Sequence, residues 1–136
     1  MGDCVMRPED EMTHAPDDSL NFNESVYTNG FDSISPMGGG MRLGNRVNEG
    51  HAELAVCLYL PDDRVACQFR RPSIADNDRF DAGGLSYRVI EPLRKIAMTF
   101  EGDLVILEDP EALRDPQSLF RTGPKLPGRV DWTHEA

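Results

Sequence analysis

The chain of 136 residues has no apolar run close to the roughly 20 residues needed to cross a bilayer. No basic stretch leads into an apolar one near Met1, so neither a membrane span nor a secretory signal is expected. Basic residues are scarce, with 14 Lys and Arg against 24 Asp and Glu and a net charge of −10. That balance argues against a phosphate backbone as partner, because Lys and Arg are what release its counterions. It also disfavours an anionic membrane surface. Half of the charge is local: residues 1–19 hold Asp3, Glu9, Asp10, Glu11, Asp17 and Asp18 against Arg7. The rest is about as acidic as many cytosolic domains, so the charge speaks for solubility and not for a charged partner.

Cysteine is sparse too. Cys4, Cys57 and Cys67 are odd in number and lack metal spacing, which fits reduced thiols and a cytoplasmic protein. No catalytic motif is complete. Gly38-Gly39-Gly40 lacks the lysine and the following helix of a phosphate loop. Ser73, Ser86 and Ser118 have no nucleophile-elbow context. His51 and Glu53 share a strand face, but a zinc site needs a third protein ligand. Asp76, Asp78 and Asp81 stop short of a calcium loop. Neither a metal nor another cofactor is expected.

What the chain does contain is alternation. Ala52, Leu54, Val56, Leu58 and Leu60 fall on every second residue, with His51, Glu53, Cys57 and Tyr59 between them. After Pro61-Asp62-Asp63 the period of two resumes as Val65, Cys67 and Phe69 against Arg64, Gln68 and Arg70. Such a period marks strands, and the Pro-Asp-Asp run marks the turn of a hairpin. Read this way, Cys57 and Cys67 lie on opposite faces, and diverging Cβ directions argue against a disulfide between them.

Around this hairpin, residues 1–19 read as a mobile acidic arm and residues 20–133 as a single β domain. A first strand runs from Phe22 to Phe31 with a break at Asn29-Gly30, and Ser35 to Gly40 form a turn. Met41 to Arg46 make a short strand. Leu85, Tyr87 and Val89 alternate before Glu91-Pro92, and Ile96, Met98 and Phe100 alternate before a tight turn at Glu101-Gly102-Asp103. Leu104 to Leu107 then return antiparallel. Asp109-Pro110 and Asp115-Pro116 each place an N-cap before proline, predicting two short helical turns near 110–120. A last strand lies near 129–133. The fold class is mainly β, an antiparallel meander closing part of a barrel or a sandwich. If one sheet face lines a cavity, Arg46, Asn48, Arg70 and Tyr87 are the polar groups expected to orient an apolar ligand there.

The runs GNRVNEGHAELAVCLYLPDDRVACQF, FDAGGLSYRVIEPL, EGDLVILEDP and DPQSLF resemble the N-terminal half of a lipocalin-like family related to hydroxyneurosporene synthase, a carotenoid hydratase. The resemblance covers roughly residues 20–133. It implies a bacterial lipocalin-like half-barrel that holds an isoprenoid- or lipid-like molecule. Family chains pair two such halves, with acid and base groups mainly in the second, so no catalytic residue carries over. The leading expectation is an apolar ligand-binding module. The alternatives are half of a hydratase or isomerase acting on an isoprenoid-like substrate, or a protein-interaction module. Pairing with a second half, or as a homodimer, is expected to cover the sheet edges.

Overall fold

The computed structural model describes residue 3 and residues 5–136. Eight strands form one antiparallel sheet: β1 (Glu24–Asp32), β2 (Met37–Arg46), β3 (His51–Tyr59), β4 (Val65–Arg70), β5 (Phe80–Ala82), β6 (Leu85–Glu91), β7 (Lys95–Leu107) and β8 (Lys125–Glu135). The order across the sheet is β1-β2-β3-β4-β7-β6-β5, with β8 along the other edge of β7. Two four-strand meanders are thus joined where β4 meets β7. The sheet is mainly β and antiparallel as predicted, and it curls without closing, since no ladder joins β1 to β8 among the described residues.

The long strand β7 makes the curl. Along one edge it pairs first with β6, through residues 95–100, and then with β4, through residues 105–107. Along its other edge β8 follows it from Lys95 to Val105. The turn expected at Glu101-Gly102-Asp103 is therefore corrected: these residues stay in the ladder, opposite Arg129, Gly128 and Pro127. Glycines at 102 and 128 face each other where the strand passes from one layer to the other, a position where lost side chains permit close approach and bending. Two smaller expectations are corrected in the same way. The strand β1 is not interrupted at Asn29-Gly30, and Gly38, Gly39 and Gly40 belong to β2, the turn being confined to residues 33–36.

Between the layers lies the core. Met41, Leu43, Leu54, Val56 and Leu58 from β2 and β3 meet Leu85, Met98, Phe100, Leu104 and Val130 from β6, β7 and β8. Phe100, Met98, Leu85, Met41 and Leu43 are fully buried, so side chains occupy this interior. Thr28 donates to the Met98 sulfur at 3.1 Å, tying β1 to the opposite layer. Asn45, also fully buried, donates through Nδ2 to the Asn77 side chain (3.0 Å) and to the Arg79 carbonyl (2.9 Å). These two bonds hold the loop before β5 against β2.

A second, smaller cluster occupies the outer face. Val65, Cys67 and Leu107 are buried there beneath Leu119 and Phe120 of α1 (Pro116–Thr122). Asp115 caps that helix by accepting from the Ser118 N–H, and Asp109 caps the preceding 3-10 turn by accepting from Glu111. Both predicted helical turns are present. No helix among the described residues is long and apolar enough to cross a membrane.

This outer cluster overturns one expectation directly. The ladder pairs Cys57 with Cys67, and residues directly opposite in an antiparallel ladder point to the same face. On β4 it is Ala66 and Gln68 that face the core, Gln68 donating to the Asp103 carbonyl at 2.9 Å, while Val65, Cys67 and Phe69 face outward. Alternation reports the period within one strand. It does not report which of the two sets faces the core, and here a helix makes the outer set apolar. Cys4 lies outside the described residues.

Candidate functional site

Residues 11–19 lie along the body through polar contacts. His14 binds Glu24 through its backbone N–H (3.3 Å) and its Nδ1 (2.8 Å). Its carbonyl accepts from Asn77 at 2.8 Å. The Glu11 carboxylate accepts from the Leu93 N–H. Hydrogen bonding to Glu24, and then the carboxylate's charge, raise the His14 pKa above its ordinary 6.5.

These contacts bear on the four residues singled out from sequence. Asn48 donates through Nδ2 to the carbonyls of Asp17 (2.7 Å) and Ser19 (2.8 Å), so its amide holds the arm. Arg46 is half-buried and ion-paired with Glu49. Arg70 is exposed and borders an outer cleft with Arg42, Glu53, Phe69 and Arg71. Tyr87 stacks edge-on against Phe80, centroids 5.7 Å apart, and borders a depression with Glu11, Lys95 and His134. Burial foremost, and the nearby Glu11 charge second, raise the Tyr87 hydroxyl pKa. Arg70 and Tyr87 thus border different depressions, and neither Arg46 nor Asn48 is placed with them. His51 and Glu53 do face one another, at 3.9 Å, but Arg42 and Arg71 also pair with Glu53. Among the described residues no group of three or more His, Cys, Asp or Glu is placed to hold a metal ion.

Two other places have the shape of a site. On the outer face of β1, β2 and β3, Tyr27, Phe31 and Tyr59 rim a cleft of about 470 Å³. Its floor is Gly40, Ala55 and Cys57, and Tyr27 lies over Gly40 so closely that a Cβ there would meet the phenol oxygen at 2.8 Å. The second place is the seam where the sheet fails to close. A cleft of about 520 Å³ lies between the β1–β2 hairpin and β8, lined by Phe31, Met37, Leu58 and Trp132 and by Asp32, Asp131 and His134. Leu58 and Trp132 belong to the inner layer, so this cleft is the mouth of the core. Trp132 and His134 meet edge-on with centroids 6.1 Å apart. Among the described residues none of Arg46, Asn48, Arg70 and Tyr87 lines it.

The seam was illegible from sequence because it joins positions about a hundred residues apart through a pairing that does not form. One signal was available: Trp132 is the single tryptophan, set in an alternating strand beside His134.

An antiparallel β domain with a filled core and a mixed apolar and acidic cleft at its open seam is the class defined by this geometry. Residues 7–136 match the family described as Domain of unknown function (DUF7064), and the chain belongs to it. No curated protein and no solved structure matches the chain.

Proposed function

We propose that this is a lipocalin-like module that binds a neutral, largely apolar small molecule of isoprenoid or lipid type at the seam, in the cytoplasm. The observation that carries the reading is the seam cleft itself: about 520 Å³, with Trp132, Leu58, Met37 and Phe31 as its apolar wall. That volume lies in the usual range of about 300–1,000 Å³ for small-molecule sites, and apolar walls with a few polar groups are their usual lining. Asp32 stands at the cleft, whose described lining holds no Lys or Arg, while the other acid along it, Asp131, is paired with Arg129 at 2.9 Å. A hydroxyl end is therefore favoured over a carboxylate, which would meet the Asp32 charge. The reading takes residues 20–133 as one lipocalin-like domain and residues 1–19 as an acidic arm, of which residues 1, 2 and 4 lie outside the described residues.

Because Trp132 is the single tryptophan, its fluorescence reports on this cleft alone. Titration with farnesol is expected to shift and quench that emission with saturation, and palmitate is expected to bind more weakly. Ligand retention that is unaffected by Leu58→Asp, or altered as strongly by Arg46→Ala or Tyr87→Phe, refutes a site at the seam.

Two observations favour further readings. Asp32 and His134 share the cleft, which supports a role as half of a hydratase or isomerase; turnover of an isoprenoid by the isolated chain, lost in His134→Gln, tests it. Tyr27, Phe31 and Tyr59 are more than half exposed on the outer face, and among the described residues β1 pairs on one side only, which supports self-association as a homodimer or docking of a separate second half. A well-folded monomer by sedimentation at micromolar concentration refutes the homodimer.

A further inference from the structure

The ladder that places Cys57 opposite Cys67 also says what kind of pair they are. Three backbone bonds in the same register fix its phase: Ile74 N–H to the Gly50 carbonyl, Ala52 N–H to the Pro72 carbonyl and Leu60 N–H to the Arg64 carbonyl. All three join even-numbered residues. Hydrogen-bonded and non-hydrogen-bonded pairs alternate along an antiparallel ladder, so the pairs at 55/69, 57/67 and 59/65 are the non-hydrogen-bonded ones. At such a pair the Cα atoms stand about 4.5 Å apart and the side chains lean together. Disulfides span Cα separations of about 4.4–6.8 Å, so this position accepts one with the strands where they are.

The surroundings give the two thiols different access. Cys57 is half-buried and lies in the floor of the outer cleft between Tyr27 and Tyr59. Cys67 is fully buried, sealed by Val65, Leu107 and the α1 residues Leu119 and Phe120. One thiol is open to a solvent oxidant and its neighbour is shielded from it. The same burial raises both thiol pKa values, Cys67 to about 11, the Cys57 charge adding to the rise at Cys67 and a Tyr59 hydrogen bond opposing it at Cys57. Thiolate is therefore scarce near neutrality, and the pair responds to sustained oxidation and not to brief exposure.

We infer that Cys57 and Cys67 form a cross-strand thiol pair that closes to a disulfide under an oxidised low-molecular-weight disulfide such as glutathione disulfide, with Cys57 attacking first and Cys67 resolving. The Cys57 thiolate attacks one glutathione sulfur, forming a Cys57–glutathione mixed disulfide and expelling one glutathione thiolate. The Cys67 thiolate then attacks the Cys57 sulfur, forming the Cys57–Cys67 bond and expelling the second. The two cysteine sulfurs lose two electrons, glutathione disulfide gains them, and the two protons leave on the two glutathiones. This inference is independent of what the seam binds.

The test uses the full chain with Cys4→Ser, so that only this pair reacts. After equilibration in glutathione buffers of graded ratio, free thiols are blocked with N-ethylmaleimide and the chain is cut with trypsin, which cleaves after Arg64 between the two cysteines. Mass spectrometry is expected to find the Cys57 and Cys67 peptides linked in most chains at the oxidised end, and separate again at the reduced end. Adding Cys67→Ser is expected to trap glutathione on Cys57. With Cys57→Ser, Cys67 is expected to react about tenfold more slowly, because it is shielded. Circular dichroism confirms that each variant is folded. Linkage only between chains, full blocking of both thiols in pure glutathione disulfide, or equal rates in the two serine variants each overturn the assignment.

Discussion

Replacing Asn45 by alanine tests how the loop before β5 is held to β2. The side chain is 1% exposed and its Nδ2 serves two acceptors, the Asn77 side chain and the Arg79 carbonyl. A buried hydrogen bond is worth about 1 kcal/mol net, and an acceptor left unpaired costs about 1–3 kcal/mol. Part of the loss is returned, because the Asn45 Oδ1 has no partner among the described residues and its removal ends that burial cost. The balance predicts about 2 kcal/mol of destabilisation for Asn45→Ala, a large share of the ~5–15 kcal/mol typical of a whole domain. Asn45→Asp keeps the shape and sets a carboxylate against the same two acceptors, so it should cost more than alanine. Urea unfolding followed by circular dichroism measures both, with an unchanged m value as the sign that stability alone has moved. The consequence reaches further along the chain, since Asn77 also holds the His14 carbonyl. Amide exchange over residues 11–15 should quicken in both variants. Asn45→Ala within 0.5 kcal/mol of wild type (about half of one such bond), or an aspartate variant more stable than the alanine one, refutes the assigned donor role.

Other expectations follow from single contacts. Phe100→Ala empties a fully buried site in the core and should cost about 3–5 kcal/mol by the same unfolding assay; a loss near 1 kcal/mol would mean the interior is not packed as described. Gly39 has φ +154°, and a Cβ there would lie 2.1 Å from the Cys57 carbonyl oxygen, so Gly39→Ala should cost at least about 2 kcal/mol. Gly30→Ala in the facing position, where a Cβ meets nothing within 4 Å, should not; equal losses would refute the close approach. For His14, folding raises the pKa, so its contribution is full below the ordinary value of 6.5 and is lost as pH rises through the raised one. The arm should therefore loosen as pH rises through that raised value, and Glu24→Gln should lower the His14 titration midpoint followed by NMR. An unchanged midpoint would dismiss the pair.

Local signals were legible wherever a side-chain period or a cap sufficed. The alternation of Ala52, Leu54, Val56 and Leu58 marks β3 as a strand, because a strand's period is a property of neighbouring residues. Asp109-Pro110 and Asp115-Pro116 mark both helical turns for the same reason. The reading erred where identity was locally ambiguous. Glu101-Gly102-Asp103 has turn composition, yet pairing with β8 along its length keeps β7 extended. Composition states a preference worth less than the ladder that overrides it.

The candidate site separates the two levels further. Arg46, Asn48, Arg70 and Tyr87 were chosen as polar residues at strand ends, and the fold gives Asn48 to the arm, Arg46 to Glu49, and Arg70 and Tyr87 to different depressions. The seam cleft draws on Phe31, Met37, Leu58 and Trp132, which no local pattern groups.

The sequence by itself determined the class: mainly β, antiparallel, with two short capped turns and no apolar run long enough for a membrane-spanning helix. Those follow from periods and caps that neighbouring residues set without reference to the rest of the chain. Tertiary structure alone decided that β4 meets β7, that the sheet stays open between β1 and β8, and that Cys57 stands beside Cys67. Each of these is a register between distant segments, chosen by which apolar faces can be covered together, and period alone leaves that phase undetermined.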